Sequence, residues 1–343
     1  MYSMNMKSLA RASDITKLDE KAQHVAMIPS LCLMESAGLQ AYQIWKPRLS
    51  KTDRLVFLCG PGNNGGDALV VSRYAFGDGF TNQLLIYTGT RISDSCIRHR
   101  SIAQAYGITS LEAEETDFDR LFSELHNAAW IVDGLMGTGL RGPLQGLTAS
   151  LVETVNRSKA RVFSIDVPSG LGDDVPLDGI MIKADLTVTM GLQKRCMFHP
   201  ATRSKCGTIV CVNPSFPPFL LEQVPSDILL CDRKASLSKL ALDEYKNSRA
   251  HVGIFGGSVS YTGAARLSAK ACFAARAGLI SLYCDPDVYS LAACESPSVM
   301  VKIYEGQSLP SYGAHLVGPV SSKGREHLMS PLLQTGPGVM HDA

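Results

Sequence analysis

The stretch "CGPGNNGGDALVVSR", residues 59–73, places four glycines and two asparagines between two apolar runs. It reads as the tip of a strand "LVFLC", a polar loop "GPGNNGGD" and a helix "ALVVSRYA". Taken alone, a chain reversal and a ligand-holding loop both remain open, because the stretch is neither G-x-G-x-x-G nor G-x-x-x-x-G-K-[ST].

The same alternation continues on its carboxyl side. "QLLIYT" reads as a strand, "CIRHRSIAQAYG" as a helix, and "AAWIVD" and "RVFSID" as strands around a helix "TASLVETVNR". "ADLTVTMG" and "GTIVCVN" close the series. Strands that are apolar almost throughout and alternate with helices predict an α/β fold with three layers, a mostly parallel sheet covered on both faces. On the amino side, "SDITKLDEKAQHVAMIPSLCLMESAGLQAYQIW" has helical spacing, with Ser13 as N-cap and a break at Pro29. Two helices are thus expected before the first strand.

Near residues 214–247 the pattern fades through "PSFPPF" and a charged segment ending "DEYKNSRA", which suits a linker. A second strand-turn-helix unit opens at "HVGIFGGSVSYTGAARLSAKACFAARAGLISLYCD". The 343 residues therefore read as two domains, 1–225 and 246–343, joined by 226–245.

Composition narrows the partners. With 33 Lys and Arg against 32 Asp and Glu, the net charge of +1 offers no field to steer nucleic acid or an anionic membrane. The start, "MYSMNMKSLARASDITKLDEK", lacks the apolar core of a signal peptide or anchor, and no stretch is long enough to span a bilayer. Ten cysteines without a C-x-x-C pair or zinc-ligand spacing read as buried thiols of a reducing, cytoplasmic compartment. Cys206 and Cys211, flanking "GTIV", read as two core thiols of one strand.

In open parallel sheets ligands bind outside the carboxyl ends of the strands, where strand order reverses. Two further loops fall at such ends. "WIVDGLMGTGLRGP" puts Asp133 at a strand tip, and "FSIDVPSGL" puts Asp166 at another, followed by Pro168, Ser169 and Gly170. Each acid singly is better explained as a helix N-cap. Three polar, glycine-rich loops on one sheet edge instead point to a common cleft.

"CGPGNNGGDALVVSR", "VDGLMGTGLRGP", "SIDVPSGL" and "LQKRCMFHP", with the lead-in "IPSLCLMESAG", closely resemble the NAD(P)H-hydrate epimerase domain, or YjeF amino-terminal domain, over roughly residues 10–220. The resemblance implies a Rossmann-like fold and interconversion of the R and S forms of hydrated NADH or NADPH, so that the dinucleotide is substrate and no hydride moves. It implies Asp166 as the acid–base group and places Lys194 beside it or near phosphate, a solvated surface lysine being the alternative. It further implies that Asn63, Asn64, Gly65, Gly66 and Asp67 line the substrate, the backbone N–H groups facing it. Gly137, Thr138, Gly139, Leu140, Arg141, Gly142 and Pro143 would line it from the second loop. A potassium ion (K+) would be held by Asn64, Asp133 and the Ser169 region with backbone carbonyls.

The second unit resembles the start of an ADP- or ATP-dependent NAD(P)H-hydrate dehydratase, a ribokinase-like domain fused to the epimerase in bifunctional repair enzymes. Gly256, Gly257 and Gly263 match its glycine-rich opening, whereas Val320 follows Pro319 where the family has glycine. The late Gly-Asp motif is missing, only Asp342 could be matched to its aspartate, and 98 residues run from Lys246 onward. A partial ribokinase-like domain, with ADP or ATP used only if it functions, is therefore expected, either as a fragment of a bifunctional protein or as a decayed domain. Its unpaired sheet edges predict a homo-oligomer. A non-catalytic nucleotide-binding scaffold is the competing reading; an ordinary NAD-dependent dehydrogenase lacks its fingerprint here.

Overall fold

The computed structural model describes residues 6–114, 116, 118–231, 243–295, 297–304, 311–318 and 339–341. The chain divides into two compact units, 5–233 and 234–343 with 1–4. A short strand β1 (Met6–Leu9) comes first, ahead of the two expected helices α1 (Ala12–His24) and α2 (Ser30–Trp45). Ser13 does not cap α1. The cap position is Arg11, without a side-chain bond, and the Ala12 N–H donates instead to Asp173 Oδ2 at 2.5 Å. A distant loop supplies the acceptor that the local sequence was expected to give.

The sheet follows: β2 (Leu55–Cys59), α3 (Asn63–Gly77), β3 (Gln83–Tyr87), α4 (Asp94–Ala105), β4 (Ser110–Glu112), α5 (Phe118–His126), β5 (Trp130–Gly134), α6 (Gly146–Arg157), β6 (Arg161–Ile165), β7 (Leu186–Met190) and β8 (Thr208–Val212). All seven strands are parallel in the order β4-β3-β2-β5-β6-β7-β8. Alternation along β2 shows why. Leu55, Phe57 and Cys59 pack with Trp45 of α2 and Leu69 of α3, while Val56 and Leu58 pack with Leu121 of α5 and Val152 of α6. Both faces are apolar, so helices cover both.

Strand order reverses between β2 and β5, which puts the crevice above their carboxyl ends. Beyond β8 lies a short helix α7 (Pro218–Leu221). It is followed by β9 (Ile228–Cys231), inside the stretch read as linker, which pairs antiparallel with β1. Cys206 is buried but precedes β8, and Cys211 on this edge strand is exposed. Cys206 is thus a core thiol as expected, though outside the strand, whereas Cys211 is not, because β8 is an edge strand of the sheet.

In the second unit β10 (His251–Phe255), α8 (Thr262–Ala274), β11 (Leu279–Cys284), α9 (Pro286–Glu295), β12 (Met300–Ile303), β13 (Ala314–Val317) and β14 (Val339–His341) form a five-stranded parallel sheet in the order β12-β11-β10-β13-β14. Ala265 and Ala269 of α8 and Val288 of α9 cover one face over Ile254 and Leu282. Phe255, Tyr283 and Tyr312 cluster separately, with a Tyr283–Tyr312 hydroxyl contact of 2.7 Å. Pro319, Val320 and Asp342 lie outside the described residues.

Candidate active site

A cavity of about 540 Å³ opens at the point where strand order reverses. The loop after β2 and the first turn of α3 contribute Pro61, Gly62, Asn63, Asn64 and Asp67. The loop after β5 contributes residues from Leu135 to Arg141, and the tip of β6 contributes Asp166. One glycine lets the first two loops meet, and a second lets the start of α3 close onto its own loop. A Cβ on Gly60 would collide with the Leu135 carbonyl, and one on Gly65 with that of Gly60.

Asp166 sits at φ 66°, in the left-handed region that a non-glycine residue occupies only under constraint. The constraint is visible. Its N–H donates to the Val188 carbonyl at 2.8 Å, and its Oδ1 accepts from Thr189 Oγ1 at 3.3 Å, from the Met190 N–H at 3.2 Å and from Lys194 Nζ. Lys194 is fully buried, which overturns the surface alternative. Its remaining donors go to Thr189 Oγ1 at 2.7 Å and the Met190 carbonyl at 2.9 Å. Its backbone is clamped by Ala10, which donates to the Gln193 carbonyl and accepts from the Arg195 N–H, each at 2.9 Å. All three donors to the carboxylate meet Oδ1. Among the described residues Oδ2 receives none, and Asp166 borders the cavity.

Behind the cavity wall a second node gathers Asn64, Asp133 and Ser169 around the peptide of Met136. Asp133 is fully buried and accepts from Ser164 Oγ at 2.7 Å, the Ser169 N–H at 2.9 Å, Ser169 Oγ at 2.5 Å and the Leu135 N–H at 3.4 Å. Asn64 Nδ2 donates to the Met136 carbonyl at 3.2 Å, and the Met136 N–H to Ser169 Oγ at 2.9 Å. Burial pushes the Asp133 carboxyl up from its ordinary value, and the Ser169, Ser164 and Leu135 hydrogen bonds oppose it. Two hydroxyls and two backbone N–H groups thus occupy both oxygens of the carboxylate, and the amide reaches the node through its nitrogen, so the node is closed by its own hydrogen bonds.

Acid is concentrated on the cavity wall. Burial first, then the charges of Asp166 and Asp19, push the Asp67 carboxyl well above the usual range. Asp19 is itself raised, by burial before the Glu20 charge, with Gln23 opposing. Asp19, with Ile15 and Thr16, reaches the cavity from α1, Met34 and Ala37 reach it from α2, and Arg91, Pro214 and Phe216 from loops. None of these was named from sequence. Asp19 lies four residues after Ile15 on the buried face of α1, and an acid on an apolar stripe was the signal to follow.

Of the expected substrate-lining residues, Asn63, Asn64, Asp67, Gly137, Thr138, Gly139, Leu140, Arg141 and Asp166 border the cavity. Gly65, Gly66, Gly142 and Pro143 do not. Gly65 and Gly66 are buried in the first turn of α3 against Gly60 and Met34, so they serve packing.

Residues 30–196 match the family described as YjeF-related protein N-terminus, and residues 252–335 match NAD(P)H-hydrate dehydratase. The chain carries both domains. A bifunctional NAD(P)H-hydrate repair enzyme Nnr from Thermanaerovibrio acidaminovorans is 32% identical over 88% of this chain and 57% of its own length. The Moorella thermoacetica enzyme of the same name is 29% identical over 97% of this chain and 64% of its own. The Dictyoglomus turgidum one is 28% identical over 80% and 54%. The chain thus spans a little over half to about two thirds of such relatives. The crystal structure of yeast YNL200c superposes with a TM-score of 0.53 at 20% identity, covering 61% of this chain and 90% of that one, and so shares the fold of the YjeF-related domain. No helix among the described residues is long and apolar enough to cross a membrane.

Proposed function

We propose that the cavity of the YjeF-related domain binds hydrated NADH or NADPH and interconverts the R and S forms. In these hydrates the carbon bearing the hydroxyl is bonded to the ring nitrogen. A proton delivered to that hydroxyl lets water leave while the nitrogen lone pair stabilises a planar cation; water then returns to either face and gives up a proton. The chain must supply one carboxyl that gives and takes this proton, work worth roughly 10²–10⁴-fold in rate. Asp166 suits it, and the observation that carries the reading is its asymmetry. Oδ1 is held by Lys194, Thr189 and the Met190 N–H, so Oδ2 is aimed at the cavity with one orientation. Lys194 is a positioning residue, since its three bonds are spent on Asp166 and its neighbours.

Asn63, Asn64 and Asp67 at the start of α3, with residues from Gly137 to Arg141, would hold the dinucleotide, the helix N-terminus facing its phosphates. Asn64, Asp133 and Ser169 come together as the resemblance implies for a potassium ion, but both Asp133 oxygens accept from protein donors and Asn64 turns its Nδ2 to the Met136 carbonyl, so the set as built does not fit a bound ion. The second unit, through its likeness to the dehydratase family, would take ADP or ATP.

The test supplies the full-length chain, in potassium buffer, with the R form of hydrated NADPH and follows the S form by chromatography. Conversion well above the buffer rate, lost in Asp166→Asn, is the expected result. Wild-type protein no faster than buffer overturns the reading.

A further inference from the structure

We propose that Arg91 binds the 2′-phosphate on the adenosine ribose of the substrate, so that the chain prefers the hydrate of NADPH to that of NADH. The inference rests on the epimerase reading for its ligand and on the sheet for its geometry.

Arg91 lies in the loop after β3 and borders the same cavity as Asp166. Counting across the sheet from β6 to β5, β2 and β3 gives three strand spacings, about 14 Å between the two loops. A dinucleotide with its nicotinamide at Asp166 and its phosphates over the start of α3 runs along that edge and ends at the β3 loop. In dinucleotide-binding sheets the ribose of the adenosine half falls at this strand end, where an acidic residue takes a bare 2′-hydroxyl and an arginine takes a 2′-phosphate. Here the cavity is given an arginine. Asp94, the nearest acid in sequence, opens α4 and does not border the cavity.

The loop is fixed at both ends. The Thr88 N–H donates to the Cys59 carbonyl at 3.0 Å and the Ser93 N–H to the Pro61 carbonyl at 2.9 Å, while Gly89, at φ 76°, packs on Pro61. Arg54, Arg73 and Arg100 each pair with a glutamate, whereas Arg91 has no ion pair or hydrogen bond among the described residues. Its guanidinium stays available, and the planar fork matches a phosphate with two parallel hydrogen bonds.

Binding of NADP+ and NAD+ to the full-length chain and to Arg91→Ala and Arg91→Lys is measured by calorimetry, alongside turnover of both hydrates. Wild-type protein is expected to bind NADP+ about tenfold or more tightly than NAD+, with the preference erased in Arg91→Ala and partly restored in Arg91→Lys. The ratio of kcat/KM for the two hydrates shifts equally, through KM. Equal binding of the two dinucleotides by wild type, or a preference unchanged in Arg91→Ala, overturns the proposal. A wild-type chain that shows the binding preference but turns over neither hydrate sinks the epimerase reading and leaves Arg91 supported.

Discussion

Asp133 and Asp166 close neighbouring strands and both are walled in by protein, yet only one keeps an oxygen for a ligand. Asp133 spends both oxygens on two serine hydroxyls and two backbone N–H groups. Asp166 takes three donors on Oδ1 and turns Oδ2 to the cavity. The placement of donors around a buried carboxylate, more than its depth, separates the acid that holds loops from the one proposed to handle protons.

The contrast is sharpest in Asp166→Asn. The amide oxygen can still accept from Lys194, so the fold should hold while epimerase turnover falls by roughly 10²–10⁴-fold, read by chromatography beside a thermal melt. Asp133→Ala should do the reverse. Four donors lose their acceptor, and stability drops by about 3 kcal/mol or more in urea titration. A variant of Asp133 that kept wild-type stability and lost only turnover would erase the distinction. Ser169→Ala removes one hydroxyl between Asp133 and the Met136 peptide and should cost about 1–2 kcal/mol by the same titration.

The smallest effect concerns a third carboxyl. Asp67 is raised above its ordinary 3.8 by burial, then by Asp166 and Asp19. A raised acid contributes stability that is complete below the unfolded value and lost as pH rises through the folded one. Asp67→Asn cannot titrate, so its melting temperature should gain on wild type progressively as pH rises above about 4. A difference independent of pH contradicts this account of the cavity's acid wall.

Most of the frame was legible because β2, β3 and β5 are apolar almost throughout, and a strand of that kind has only one home, between two helical layers. The three strand-tip loops were legible for a related reason: glycine and acid following an apolar run mark a place where backbone and carboxylate meet a shared space. What escaped was non-local. The resemblance set Lys194 beside Asp166 or near phosphate, with a surface lysine as the alternative; its full burial comes from Ala10 and Asp166, far away in sequence. The acceptor at α1 comes from Asp173. Short β1 and β9 exist only because each pairs with the other. Arg91 carries no local sign of its cavity, since only the sheet order brings the β3 loop beside the β2 loop.

The central claim is that one oxygen of Asp166 protonates a departing hydroxyl and lets solvent replace it. Turnover of the R hydrate in water enriched in oxygen-18 tests it directly by mass spectrometry of the S product. Label should enter the hydrated carbon at the rate of epimerisation, and both should disappear together in Asp166→Asn. Epimerisation without label, or with undiminished label in Asp166→Asn, would contradict it.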